Sequence, residues 1–397
     1  MKRILFGITL WSSMMAIISC TGHNDYKALF PAKCGDKWGY INICGEFVIK
    51  PQFDCAFEFS EGMARVCVGD KEGFINTKGE LVINPQYDNV GDFSEGLALA
   101  ENDLFGFIDK KGAFVIDQVF DRLIDRAVFS EGMIPVRNNG KYGYYDNKGK
   151  MVIIPQFDYV GVFSEGLASV LKNGKIGFID KEGKMIIDPH FPCGPYDYFF
   201  SDGLASVLFY DTINGCYKYG YINKEGAFVI KPQYSEAYPF SEGIAFVRED
   251  EGRNIRGSDN VFRYVKAKGY LINKEGKRIN DFQFDEVGGF SEGLACVRID
   301  DKYGYIDTRG DLVIEPQFDV ARDFSEGLAA VGVGGGYNSN SIEGYINSKG
   351  KFVINPQFNS AYPFINGLAQ VVIDKEIGCR ICYINKNGNV VAEWDQK

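Results

Sequence analysis

Apolar runs of four to six residues, broken by polar turns, fill the chain from residue 28 to 391 and recur about every 34 to 50 residues. A representative unit begins Gly143-Tyr144-Tyr145-Asp146-Asn147-Lys148-Gly149. It continues as Met151-Val152-Ile153-Ile154-Pro155-Gln156-Phe157-Asp158 and ends Phe163-Ser164-Glu165-Gly166-Leu167-Ala168. Aromatic and β-branched residues in such short runs predict strands, and the turns between them predict hairpins. The first turn carries Asn or Asp first and glycine fourth, at 42–45, 76–79, 109–112 and on to 385–388. An Asx side chain bonds to amides just ahead of it and glycine accepts positive φ, which predicts a type I turn closed by a bulge. The next strand stops at proline (Pro51, Pro85, Pro155, Pro316), which cannot donate to a ladder. A connector holding an aromatic then leads to Ser-Glu-Gly and a third strand that returns to the next glycine step.

The expected fold is therefore all-β, a tandem array of about ten three-stranded meanders. Glycines at fixed places and β-branched triplets exclude paired helices of the same period. An open solenoid or superhelix is favoured over a closed propeller. Ten blades exceed the usual four to eight, and the unequal unit lengths fit poorly with a ring. The tenth unit has Cys382 in place of glycine, and its Asn389-Val390-Val391 followed by a polar tail at 392–397 is expected to cap the array.

The Trp38-Gly39 step, the Pro-Gln-Phe-Asp runs and the Phe-Ser-Glu-Gly-Leu-Ala runs resemble the bacterial WG-repeat family over nearly all of 28–391. Most units replace the tryptophan, with Phe105, Tyr142, Ile176, Tyr219 or Tyr303. The resemblance implies an all-β repeat protein and supplies no catalytic motif.

Residues 1–19 carry Lys2 and Arg3 before an apolar stretch too short to span a bilayer, the pattern of an export leader. Ile17-Ile18-Ser19-Cys20 resembles a lipoprotein signal, which implies lipidation at Cys20 and a tether at 20–27. The expected location is the cell envelope, on the outer membrane since Thr21 shows no inner-membrane retention aspartate. Without Lys2 and Arg3, 41 basic residues face 53 acidic ones, a net charge of −12. That disfavours nucleic acid and anionic lipid as partners of the body of the protein.

Candidate chemistry is sparse. The recurrent Ser-Glu-Gly pairs (Glu61 and Gly62, Glu95 and Gly96, Glu165 and Gly166, Glu292 and Gly293) are read as turns, because acid–base pairs need two carboxylates in one site and Asp202 and Asn366 replace two of them. Cys67, Cys296 and Cys55 occupy the unit positions of Leu171, Ser169 and Tyr159 and are read as packing substitutions. Cys379 and Cys382 form a CxxC, for which a local disulfide stays open; a zinc site would need two further ligands, and the histidines are His23 and His190 alone. No catalytic residues, metal or cofactor are expected, and an enzyme, such as a hydrolase, ranks last.

Length variation concentrates in one hairpin of the unit, at 208–219, 248–268, 332–343 and 372–381. Repeat proteins vary their binding surface in such places. The candidate binding residues there are Tyr210, Tyr217, Arg256, Phe262, Tyr264 and Tyr337. The function expected is a protein-binding or scaffolding surface for another envelope protein. The alternative is a glycan-binding module, since the aromatic hairpins resemble choline- and glucan-binding repeats.

Overall fold

The computed structural model describes residues 28–120, 129–194, 198–212, 215–249, 253–256, 262–265, 267–335, 341–374 and 378–396. The leader, the tether and Cys20 lie outside them. Ten antiparallel sheets follow one another along the chain. They are numbered here as blades 1 to 10, spanning 30–53, 55–87, 89–120, 133–157, 159–192, 205–234, 236–273, 286–318, 320–358 and 360–396. A separate two-stranded sheet, Arg253–Arg256 with Phe262–Val265, is inserted in blade 7.

Nine units form their three strands as the pattern predicts, and the connector adds to them. In blade 7 only the isolated bridges Ile272–Arg278 and Gly269–Phe284 stand in place of the third strand. In blade 5, Tyr159–Val160 pairs with Ala168–Lys172, then come Lys175–Ile179 and Met185–Pro192. Six blades gain a fourth strand from the connector in this way. The Asx turns are built as expected: the Asp146 carboxylate accepts from the Lys148 and Lys150 amides, and Gly149 has φ 82°. At the glycine step a Cβ on Gly344 would lie 2.5 Å from the Ile354 carbonyl oxygen and 2.7 Å from Pro356 N. The proline-bearing strand arches over the glycine, and the ladder slips there between Glu343 and Tyr345. In blade 10 no proline interrupts Val390–Gln396, Cys382 pairs directly with Glu393, and a side chain is tolerated.

The core lies between blades. In eight blades the aromatic after the glycine packs on the connector phenylalanine of the following blade, among them Tyr144 on Phe163 at 4.9 Å, Phe178 on Phe200 at 5.1 Å and Tyr305 on Phe324 at 4.9 Å. Where that aromatic is tyrosine, its hydroxyl donates across the same boundary, Tyr144 to the Gly161 carbonyl (2.6 Å) and Tyr345 to that of Tyr362 (2.7 Å). Burial pushes the Tyr144 hydroxyl well above its ordinary pKa, so these donors stay protonated.

The open array is overturned: the stack closes on itself as a ten-bladed propeller. Phe30, Ala32 and Ile41 of blade 1 share one buried cluster with Leu368 and Tyr383 of blade 10. Trp38 meets Trp394 edge-on at 5.6 Å, and Phe30 meets Tyr383 at 5.5 Å. Unequal unit length does not prevent closure, because the extra residues sit in hairpins and leave the blade-to-blade contacts repeating. The tenth unit is thus no cap. Ala392 and Trp394, from the stretch expected as a polar tail, pair in its outer strand and pack against blade 1.

Candidate binding surface

Antiparallel order puts a blade's Ser-Glu-Gly and Asx-Gly turns at one end and the hairpin between them at the other, so the ring has two unlike faces. The first face carries the Ser-Glu-Gly and Asx-Gly turns. Glu61, Glu95, Glu165 and Glu292 have φ of 51–53° and the glycines after them 78–88°. Ser94 and Leu97 exchange both backbone hydrogen bonds around Glu95 and Gly96. Positive φ at both central residues is a type I′ turn, which fits the twist of a tight hairpin. Glutamate is an unusual occupant of the left-handed region, and its side chain supplies the compensation. Glu61 accepts from Gly96 N–H of the next blade (3.0 Å), Glu165 from Gly203 (3.1 Å) and Glu292 from Gly327 (2.9 Å). Asp202 does the same for Gly243 at 2.7 Å.

Lysines at the second position of the next blade's Asx turn close the clasp. Lys110 reaches Glu61, Lys224 reaches Glu165 and Lys386 reaches Glu326, each at 3.2 Å. Partial burial raises the Glu61 carboxyl, but the Lys110 and Gly96 hydrogen bonds outweigh it and hold the group below the usual carboxylate range. These carboxylates are committed to neighbouring backbone and are not gathered in one site.

The second face carries the insertions. In blade 6 the hairpin lengthens until Asp211 pairs with Cys216, and Tyr210 stands directly opposite Tyr217 with ring centroids 5.0 Å apart at 63°. Both are exposed, at 43% and 52%. Backbone positions 256, 262 and 264 fall in the inserted hairpin of blade 7, where Arg256 pairs with Phe262 and Asn254 with Tyr264. The side chains of Arg256, Phe262 and Tyr264, and all of Tyr337, lie outside the described residues. The base of that insertion is pinned by Arg248, 2% exposed, which donates to Glu236, to the Ala267 carbonyl (2.8 Å) and to the Asp285 carbonyl.

Sequence reasoning missed the grooves below this face. Tyr217, Tyr219 and Ser206 lie on one face of blade 6, and that face continues into an apolar groove of about 190 Å³ lined by Tyr198, Phe199, Tyr238 and Pro239. Its polar groups are largely engaged. The Tyr198 hydroxyl donates to the Pro192 carbonyl at 3.0 Å, and Glu236 holds Arg248. A second cleft of about 350 Å³ crosses blades 7 to 9, lined by Tyr238, Glu286, Gly288, Cys296, Tyr303 and Asp323. The signal was one connector position, two before the phenylalanine. It is glycine at 91, 161 and 288 but tyrosine at 198, 238 and 362.

The cysteines also need correction. Cys55 and Cys67 are register partners 4.9 Å apart at Cα and form a disulfide rather than filling packing positions. Cys379 and Cys382, three apart on one extended strand, take opposite faces of the sheet and do not bond to each other.

These features define a repeat protein of the β-propeller class with its sequence variation gathered on one face. The chain belongs to the WG containing repeat family, whose model matches residues 38–71, 73–103, 105–142, 142–175, 176–210, 219–252, 271–303, 303–337 and 344–376. No curated protein matches the sequence. A crystal structure of a eukaryotic initiation factor is similar at TM-score 0.52 and 9% identity, over 93% of this chain and 95% of that one. Dipeptidyl peptidase 4 from Porphyromonas gingivalis gives 0.46 at 12% identity, over 85% of this chain and 59% of the peptidase. BamB from Moraxella catarrhalis gives 0.35 at 10% identity, over 76% and 92%. The first likeness concerns the fold alone, and the other two carry no argument for this chain.

Proposed function

We propose that this propeller is a non-catalytic scaffold, exported and lipid-anchored in the cell envelope at the outer membrane, whose insertion-bearing face binds another envelope protein. The observation that carries this reading is the exposed Tyr210–Tyr217 pair above the apolar groove at Tyr219, Phe199 and Pro239. Aromatic anchors beside a desolvated pocket are what protein interfaces concentrate. A glycan is the weaker occupant. The two tyrosines meet edge to face rather than offering parallel rings, and the groove's Tyr198 and Glu236 already serve other protein groups.

The test is affinity capture from detergent-solubilised native envelope with the mature chain as bait, beside the Tyr210→Ala/Tyr217→Ala double variant. A protein recovered by the first and reduced about tenfold or more with the second supports the reading. Equal recovery by both baits, or binding to a glycan array with no protein enriched, sinks it.

A further inference from the structure

We infer that the cleft across blades 8 and 9 receives the guanidinium of an arginine carried by the protein partner. This rests on the protein-binding reading above and names the chemistry of one subsite.

The template is inside the protein. In blade 2 the Arg65 guanidinium stacks on Phe57 at 3.8 Å, donates to the Val90 carbonyl of blade 3 at 2.9 Å and pairs with Asp92 at 3.2 Å. One internal arginine thus fills the space between two blades and satisfies a carbonyl and a carboxylate. Strand register puts Cys296 of blade 8 where blade 2 has Arg65, and Gly288 where it has Phe57. On the facing blade Ala321 takes the place of Val90 and Asp323 that of Asp92. The acceptors have been kept and the cation with its stacking ring has been removed. The space those two side chains would fill, between Gly288, Cys296, Ala321 and Asp323, is part of the 350 Å³ cleft.

The state of the cleft agrees with this. The Cys296 thiol takes the place of the guanidinium, 3.9 Å from the Ala321 carbonyl, too weak a donor to replace it. Asp323 makes no ion pair among the described residues, whereas Asp92 has Arg65. Burial, with the Asp323 and Glu286 carboxylates adding to it, pushes the Cys296 thiol up to about 12, so no thiolate forms beside Asp323. Glu286 is held by Arg298 at 3.0 Å, which leaves Asp323 as the carboxylate open to a cation. Tyr303 and Tyr238 line the walls and supply aromatic rings beside which a planar cation can stack. A guanidinium fits better than an ammonium because it can stack while its fork bonds a carbonyl and a carboxylate together.

The experiment measures fluorescence anisotropy of labelled peptides on the whole mature chain. The probes are (Phe-Ser-Arg)4, (Phe-Ser-Lys)4 and (Phe-Ser-Glu)4. The arginine peptide is expected to bind about fivefold or more tighter than the lysine peptide, and the glutamate peptide not at all. Cys296→Arg refills the cleft from within, as blade 2 does, and should weaken the arginine peptide about tenfold while leaving the unfolding midpoint unchanged or raised. Asp323→Asn, an exposed change that leaves the packing alone, should weaken it several-fold. Affinity unchanged in both variants, or equal binding of the glutamate peptide, overturns the proposal. If the arginine peptide fails while Tyr210- and Tyr217-dependent capture persists, the subsite falls and the scaffold reading stands. If capture fails while binding sensitive to Cys296→Arg persists, the reverse holds.

Discussion

Gly344 is glycine because of its neighbour rather than its own backbone angles: the strand carrying Pro356 passes so close that a methyl group would strike its carbonyl. Gly344→Ala is therefore expected to lower stability by about 1–3 kcal/mol, the range for overfilling a packed site, read as a shift in the denaturation midpoint. Cys382→Gly, at the matching place without the arch, should shift it less. The recurrence of the glycine step was legible, and so were the Asx turns, because each depends on a few adjacent residues. The Cys55–Cys67 bond was legible in principle. Both cysteines align with Tyr159 and Leu171, and those positions face each other across two strands. What hid it was treating each cysteine singly instead of asking which repeat positions are partners. The arginine-shaped cleft was hidden similarly, since it appears only when Gly288 and Cys296 are compared jointly with Phe57 and Arg65.

At the scale of the element, the Ser-Glu-Gly hairpin does two tasks with one residue. Glu61 turns the chain in a left-handed conformation and links its blade to the next through Gly96 and Lys110. Reading it as a turn was sufficient locally; the link needed the neighbouring blade in place. Its carboxyl lies below the ordinary 4.5, so its contribution is present above that value and is lost as pH falls through the lowered folded pKa. Between about pH 6 and pH 3, the thermal midpoint of the unaltered chain should accordingly fall more steeply than that of Glu61→Gln, measured by scanning calorimetry at each pH. Parallel slopes would mean that the clasp adds nothing to the folded state. The same hairpins leave the opposite face free to lengthen, which is why insertions accumulate at 208–219 and 248–268 without disturbing the ring.

Across the whole molecule, closure is the feature that local patterns could not reveal, since it depends on residues more than three hundred positions apart. Blades 1 and 10 share no strand, and their joint relies on side-chain packing. Ile43 stands where lysine closes other clasps, beside Gly367, and Asn366 stands where glutamate would reach across. Trp394→Ala should therefore open this joint first. The half-buried ring is worth about 2 kcal/mol or more, and hydrogen exchange should rise in 30–53 and 360–396 while blades 5 and 6 keep their protection. Uniform loss across all blades would show that the ring melts as one unit. Because both ends of the array meet at this joint, tension applied through either end is delivered to a seam that has no glutamate clasp among the described residues. The propeller would then part there like a clasped bracelet, unrolling into a ribbon of intact blades before any single blade tears.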